Sequence, residues 1–242
     1  MDKIKKKRVK RKQFEIISHT HKLDNCVAHI LIMKLSILLA KKEWDLIYSI
    51  VFDNFIEGKV YIINEYRTEF PGWFRHSKHL RRVFVSSQIT ILPDYSLQDC
   101  AKLTTIDFGD SKVTHIGKSV FYGNFILKRV TLPESLTSMG ESCFSWCGRL
   151  EYIKLSPNLK MIPRFCFDIC SRLKEVIIPE GVEYFQEEVF TDCDSLVNLR
   201  MPTTVTEVNP ASFGDHKHFL TIHVFQGTIC GISPDYRIKY YD

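Results

Sequence analysis

The sequence lacks the long apolar run that a membrane-spanning helix requires. Its first apolar stretch, residues 26–40, spans 15 positions and contains Lys34, whereas a helix that crosses a bilayer needs about 20 apolar residues. The stretch also starts too far from Met1 for a secretory signal, and two lysines follow it instead of a small-residue cleavage pattern. We therefore expect no membrane span and a soluble protein inside the cell, in the cytoplasm or the nucleus.

The sequence also lacks a basic excess outside its first residues. The net charge is +5, but residues 1–12 hold eight Lys or Arg against Asp2, and the remaining 230 residues hold 25 Lys or Arg against 27 Asp or Glu. A surface that binds duplex nucleic acid needs clustered cations. We expect no nucleic acid on the folded body, and a disordered basic tail at residues 1–23.

The cations of this tail resemble a nuclear import signal, in which adjacent Lys and Arg side chains bind an acidic groove of a carrier protein. The alternative is a solvated tail without a partner, because basic runs of this length are common. The cations concerned are Lys5, Lys6, Lys7, Arg8, Lys10, Arg11 and Lys12.

No glycine-rich loop that could cradle a phosphate is present, and no Ser or Cys has a base whose proximity can be argued from the sequence. Eight cysteines would indicate disulfides in a small secreted protein, but this chain is large and shows no signal peptide. These absences favour a non-catalytic protein without a cofactor, in a reducing compartment.

The feature that the sequence does contain is a repeat of 23 residues. The stretch from Cys170 to Cys193 reads CSRLKEVIIPEGVEYFQEEVFTDC, and steps of 23 in either direction reach Cys147 and His216. A fixed period of this length indicates a solenoid, whose coils bury their apolar residues against their neighbours. Two of the recurring registers are Phe121, Phe144, Phe167, Phe190 and Phe213, and Val83, Ile106, Val130, Ile153, Val176, Leu199 and Ile222.

Each coil is predicted to hold one short strand. Apolar residues two apart, such as Val176 and Ile178, indicate alternate inward side chains, and a proline such as Pro179 ends the strand. A second apolar pair, such as Val182 and Phe185, is expected to turn the chain back.

The period divides the chain into four parts. About six to seven coils fit residues 59–224. Before them, residues 24–58 carry two helical patterns, which suit a cap on the first coil or, as the alternative, a partner-binding module. After them, residues 225–242 leave the period, and their alternation suits a strand that closes the last coil.

The recurring phrase L-x-x-V-x-L-P-x-x-V-x-x-I-x-x-x-x-F-x-x-C-x-x-L resembles the BspA-like, or Treponema-type, leucine-rich repeat over about residues 74–224. The resemblance implies a right-handed leucine-rich-repeat solenoid with stacked strands and a role in protein recognition. Members of the family are often surface adhesins or antigens of bacteria and anaerobic protists, so the cell surface is the alternative location.

Five cysteines have a spacing close to that of a zinc site. They are explained more simply by the repeat, because one register also accepts Asn124 and the other also accepts Val120 and Val189. A register that accepts valine is a packing position, and we expect buried, stacked thiols without a metal. The cysteines concerned are Cys143, Cys147, Cys166, Cys170 and Cys193.

The outward side of the stacked strands is the predicted binding surface for a protein partner. Its two columns of side chains mix aromatic, apolar and charged groups, which suits a protein interface. Phe84, Tyr152 and Ile177 differ most from solvated strand residues and are the expected anchors. The candidate residues are Arg82, Phe84, Asp107, Arg129, Tyr152, Lys154, Glu175, Ile177, Asn198 and Arg200.

Overall fold

The computed structural model of the chain describes residues 60–61, 74–78, 80–85, 87–214, 221–225 and 237–241. All of them belong to the second of two units into which the chain divides, Glu57–Asp242. The expected basic tail at residues 1–23 and the expected helical cap at residues 24–58 lie outside the described residues.

The strands of the described residues fall into two sets, each with one short strand per coil. The first set is β1 (Val60–Tyr61), β2 (Arg82–Phe84), β4 (Thr105–Asp107), β6 (Arg129–Thr131), β8 (Tyr152–Lys154), β10 (Glu175–Ile177), β12 (Asn198–Arg200), β14 (Thr221–Phe225) and β15 (Arg237–Tyr241). The second set is β3 (Ile91–Leu92), β5 (His115–Ile116), β7 (Ser138–Met139), β9 (Met161–Ile162), β11 (Tyr184–Phe185) and β13 (Glu207–Val208). A 3-10 helix follows at Pro210–Phe213.

Strands of the first set stack in parallel at the spacing of the sequence repeat. Glu175 pairs with Asn198, and Asn198 pairs with Thr221, each 23 positions further along the chain. The hydrogen-bonded groups are β1-β2-β4, β6-β8 and β10-β12-β14-β15. The predicted solenoid of coils of about 23 residues is therefore confirmed.

The sequence predicts that the second apolar pair of each coil turns the chain back. In the structure, this part of the coil also holds a short strand. The second residue of the pair ends a two-residue strand, as Phe185 does in Tyr184–Phe185. These strands form a second parallel stack, β3-β5-β7 and β9-β11-β13, in which Tyr184 pairs with Met161 on one side and with Glu207 on the other. The physical reason is that backbone amides in a turn also need partners. The neighbouring coil supplies them at the same register.

The core is a set of apolar ladders that run along the solenoid. The rings of Phe144 and Phe167 stack with centroids 5.8 Å apart, and those of Phe167 and Phe190 with centroids 5.4 Å apart. All three rings are essentially inaccessible to solvent. Phe144, Phe167 and Phe190 thus each lie between two other rings of the ladder, so the fold depends on contacts between neighbouring coils.

The loops on the side of the phenylalanines are also tied from coil to coil. Trp146 and Ile169 have left-handed backbones, with φ of 61° and 57°. This conformation is costly for such side chains. It points the N–H of Trp146 at the carbonyl oxygen of Asp168, 2.8 Å away, and the N–H of Ile169 at that of Thr191, 2.8 Å away. The inter-coil hydrogen bonds hold the conformation in place.

Candidate functional site

The candidate binding surface consists of three columns of side chains on the strands of the first set, and we call it the strand face. The middle residue of each strand is buried and its two neighbours point outward, as in Tyr152–Lys154 and Glu175–Ile177. The first column is Arg82, Thr105, Arg129, Tyr152, Glu175, Asn198, Thr221 and Arg237. The second is Phe84, Asp107, Thr131, Lys154, Ile177, Arg200, His223 and Lys239, and the third, at the entry of each strand, is Arg81, Thr104, Lys128, Glu151, Lys174 and Val197.

All ten candidate residues of the sequence analysis lie in the first two columns of this face. Two of the three expected anchors are well exposed, since Tyr152 is 43% and Ile177 is 56% accessible. The third, Phe84, is half-buried. Tyr152 and Ile177 lie on neighbouring strands, β8 and β10. They form the most exposed apolar pair of the face among the described residues.

Several side chains of the strand face contact each other from one coil to the next. The guanidinium carbon of Arg129 lies 5.7 Å from the centre of the Tyr152 ring. Nε of Arg200 lies 3.3 Å from Oε1 of Glu175. These contacts are exposed, so each adds little to stability. Their effect is to fix the direction of the charged side chains along the columns.

The last strand extends the face past the end of the sequence repeat. β15 pairs in parallel with β14, so that Arg237 lies beside Thr221 and Lys239 beside His223. Ile238 pairs with Ile222 on the inward side. Only 16 positions separate these partners, instead of the 23 of the repeat. Arg237 and Lys239 are nevertheless exposed and continue the first two columns.

The strand face carries an excess of basic residues, whereas the other described residues carry an excess of acidic ones. The three columns contain three acidic residues, Asp107, Glu151 and Glu175, against nine basic ones. The net charge of the whole folded body conceals this difference, which emerges when the three columns are compared with the other described residues. The basic residues are Arg81, Arg82, Lys128, Arg129, Lys154, Lys174, Arg200, Arg237 and Lys239.

A second exposed apolar pair, in which both residues are aromatic, lies on the loop side and was not predicted. The rings of Phe125 and Trp146 meet edge to face, with centroids 6.5 Å apart, and both side chains are exposed. Trp146 occupies the register of Gly123 and Ile169, where a periodic pattern does not require a large ring. This departure is the signal that could have identified the pair.

Three of the stacked cysteines, Cys147, Cys170 and Cys193, act as hydrogen-bond donors inside the solenoid. Sγ of Cys147 lies 3.2 Å from the carbonyl oxygen of Phe121, and Sγ of Cys193 lies 3.0 Å from that of Phe167. Asn124 replaces the thiol with its amide, whose Nδ2 donates to the carbonyl oxygen of Leu97 at 3.0 Å. The register therefore calls for a small buried donor, which is a more specific requirement than apolar packing.

Burial also makes these thiols poor metal ligands and nucleophiles, because both roles require the thiolate. Burial raises the pKa of the Cys100 and Cys147 thiols to about 12. It raises the pKa of Cys166 and Cys170 well above the ordinary value. Among the described residues, no group of three or more His, Cys, Asp or Glu side chains is arranged to hold a metal ion.

A family model supports the resemblance found in the sequence. The model described as BspA type leucine rich repeat region, in six copies, matches residues 33–126 and 90–219. The chain belongs to the BspA-type leucine-rich repeat family. No curated protein matches it.

Solved structures of bacterial leucine-rich repeat proteins resemble this BspA-type chain. One from Eubacterium ventriosum has a TM-score of 0.60 and 21% identity, over 72% of this chain and 47% of that one, and it shows the fold. The leucine rich repeat protein of Treponema pallidum has a TM-score of 0.49 and 25% identity, over 57% of this chain and 66% of that one. A leucine rich cell surface protein from Faecalibacterium prausnitzii has a TM-score of 0.37 and 18% identity, over 70% and 62%.

This BspA-type chain spans 47% of the length of the Eubacterium protein and 66% of that of the Treponema protein. What those whole proteins do is therefore not transferred to it. Within the part that the structure describes, no helix has the length and apolarity needed to cross a bilayer.

Proposed function

We propose that the chain is a non-catalytic recognition scaffold that binds a protein partner through the strand face. The observation that carries the proposal is the exposure of Tyr152 and Ile177 on neighbouring strands of a face whose other outward residues are mostly polar. A single exposed apolar side chain is ordinary on a strand, whereas two on neighbouring strands form a patch of the kind that marks an interaction site. Within an interface, such residues become anchors because a partner removes them from water.

The repeat architecture supports the same proposal. Each coil contributes one residue to each column, and strands in a sheet lie about 4.8 Å apart. The columns therefore form an ordered surface whose backbone positions are fixed by the coils below. A partner that binds such a surface loses little free energy to ordering the scaffold itself.

A photoreactive phenylalanine analogue tests the proposal when it replaces Ile177. We expect it to crosslink a protein partner in the cells that make the chain. The matched control is the same analogue at Ile91, which is 49% exposed but lies on the second set of strands. Equal crosslinking at both positions, or none at Ile177, would contradict recognition by the strand face.

A second version of the function is a surface-associated adhesin or antigen, and membership of the BspA-type family favours it. The intracellular version, cytoplasmic or nuclear, depends on the sequence interpretation alone. Labelling of intact cells with a reagent that cannot cross membranes separates the two, because only a chain at the surface becomes labelled.

The import-signal interpretation is tested separately by fusing residues 1–15 to a fluorescent protein. Nuclear accumulation that is lost when the cations from Lys5 to Lys12 become Gln would support carrier binding. A uniform signal in the cell would leave the solvated tail as the explanation.

A further inference from the structure

We propose that the strand face takes an extended acidic segment of its protein partner, an inference that rests on the proposed function. The first observation is the distribution of charge. The face carries nine Lys or Arg against three Asp or Glu, whereas the other described residues carry nine Lys or Arg against 13 Asp or Glu. A basic face on an otherwise acidic surface attracts and orients an acidic partner.

Among the described side chains, only one of the three acidic residues of the face forms an ion pair with one of its cations. Glu175 is engaged with Arg200 through the 3.3 Å ion pair. Asp107 is turned toward its own loop, where its Oδ1 accepts the backbone N–H of Gly109 at 2.9 Å. Lys154 and Lys174 are exposed and form no ion pair with another described side chain. They are available to carboxylates of a partner.

The two lysines flank the two apolar anchors. Lys154 is two positions after Tyr152 on the same strand, and Lys174 precedes the strand that carries Ile177. The centre of the face therefore presents apolar groups bordered by cations. The matching segment alternates acidic side chains with aliphatic or aromatic ones, because each kind of group then meets its complement.

The dimensions of the face set the length of the segment. Eight strands, from β2 to β15, stack along it, which corresponds to about 34 Å at the usual strand spacing of about 4.8 Å. An extended chain rises about 3.3 Å per residue. A segment of roughly ten residues therefore spans the columns from end to end.

Nucleic acid fits this face less well than an acidic peptide. Binding of single strands depends on aromatic rings on which bases stack. Among the described residues, the three columns contain one well-exposed aromatic ring, that of Tyr152, and Phe84 is half-buried. The exposed aliphatic side chain of Ile177 contributes to a protein contact and gives no stacking surface to a base.

Fluorescence anisotropy with three labelled probes tests the inference on the full chain. The probes are a ten-residue peptide of alternating Glu with Leu or Tyr, its analogue with Lys in place of Glu, and single-stranded DNA of similar length. We expect only the acidic peptide to bind, more weakly as salt rises. The double variant Lys154→Glu/Lys174→Glu should weaken its binding at least tenfold.

The control variant Lys112→Glu/Lys160→Glu makes the same change in net charge away from the strand face, and binding should stay within twofold of the native chain. Equal loss in both variants, no preference for the acidic peptide, or tighter binding of DNA overturns the inference. Crosslinking from position 177 distinguishes this failure from that of the proposed function. A crosslinked partner whose contact segment is not acidic overturns the acidic segment alone, whereas the absence of any protein crosslink overturns the recognition role.

Discussion

The Sγ atom of Cys170 donates a hydrogen bond to the carbonyl oxygen of Phe144, which lies 3.2 Å away and 26 positions earlier in the chain. Cys193 makes the equivalent bond to Phe167. Each thiol therefore links its coil to the preceding one through the backbone carbonyl group of a phenylalanine in the ladder. Of the five cysteines that suggest a metal site in the sequence, Cys147, Cys170 and Cys193 are explained by this bond.

Asn124 occupies the same register, but only part of its side-chain amide is hydrogen-bonded. Its Oδ1 is buried without a hydrogen-bond partner, and a buried acceptor without a donor costs about 1–3 kcal/mol. Asn124→Cys should therefore raise the free energy of unfolding by about 1 kcal/mol, since the thiol keeps a donor and removes the orphan oxygen.

The matched variant is Asn124→Val, which loses the bonds from Nδ2 to Leu97 and Phe121. It should lower the free energy of unfolding by about 2 kcal/mol. Urea denaturation of the three chains gives both values. If Val and Cys change stability equally, the register selects for volume and the donor is irrelevant.

The buried thiols predict a loss of stability at alkaline pH. Burial raises the pKa of Cys147 to about 12, while an unfolded thiol ionises near pH 8.5. Above that pH the unfolded state releases its proton and the native state retains it. The free energy of unfolding should therefore fall by up to about 1.4 kcal/mol per pH unit for each such thiol, until the native thiol also ionises.

Urea denaturation between pH 8 and pH 11 measures this slope, which is compared with that of Cys147→Ser. The free energy of unfolding of the serine variant should fall less steeply with pH, by the contribution of one thiol, because serine does not ionise in this range. Identical slopes would show that Cys147 ionises equally in the folded and unfolded chains.

Phe167 tests the packing of the solenoid. Its ring stacks between Phe144 and Phe190 and is fully buried. Phe167→Ala should lower the free energy of unfolding by about 3–5 kcal/mol, because neighbouring coils cannot close around the cavity. The control is Phe125→Ala, an exposed phenylalanine whose loss should cost less than about 1 kcal/mol. A small effect at Phe167 would mean that the coils fold without their shared ladder.

The sequence alone was sufficient to predict the coils, because a buried position that recurs in every coil, such as that of Val176, repeats at a fixed period along the chain. It was not sufficient for the second set of strands, because two-residue strands such as Tyr184–Phe185 leave no alternation to detect. The left-handed backbone of Trp146 was also hidden, because its stability comes from Asp168 of the next coil and not from local preference.

The candidate residues all lie on one face, because alternation along a strand fixes the direction of their side chains. Their role in partner binding stays a prediction. Contacts between their side chains could not be predicted. The distance between Arg200 and Glu175 depends on rotamers, and the extension of the columns by Arg237 depends on where an irregular segment returns to the sheet.

Binding of the partner by the strand face is tested by a double substitution. Affinity capture is compared between the native chain, Tyr152→Ser/Ile177→Ser, and the control Tyr184→Ser/Ile91→Ser. The control removes the same two residue types, with exposed fractions of 38% and 49%, from the second set of strands. We expect the first variant to lose its partner with an unchanged melting temperature while the control retains it. Capture that survives in the first variant would show that the partner binds elsewhere.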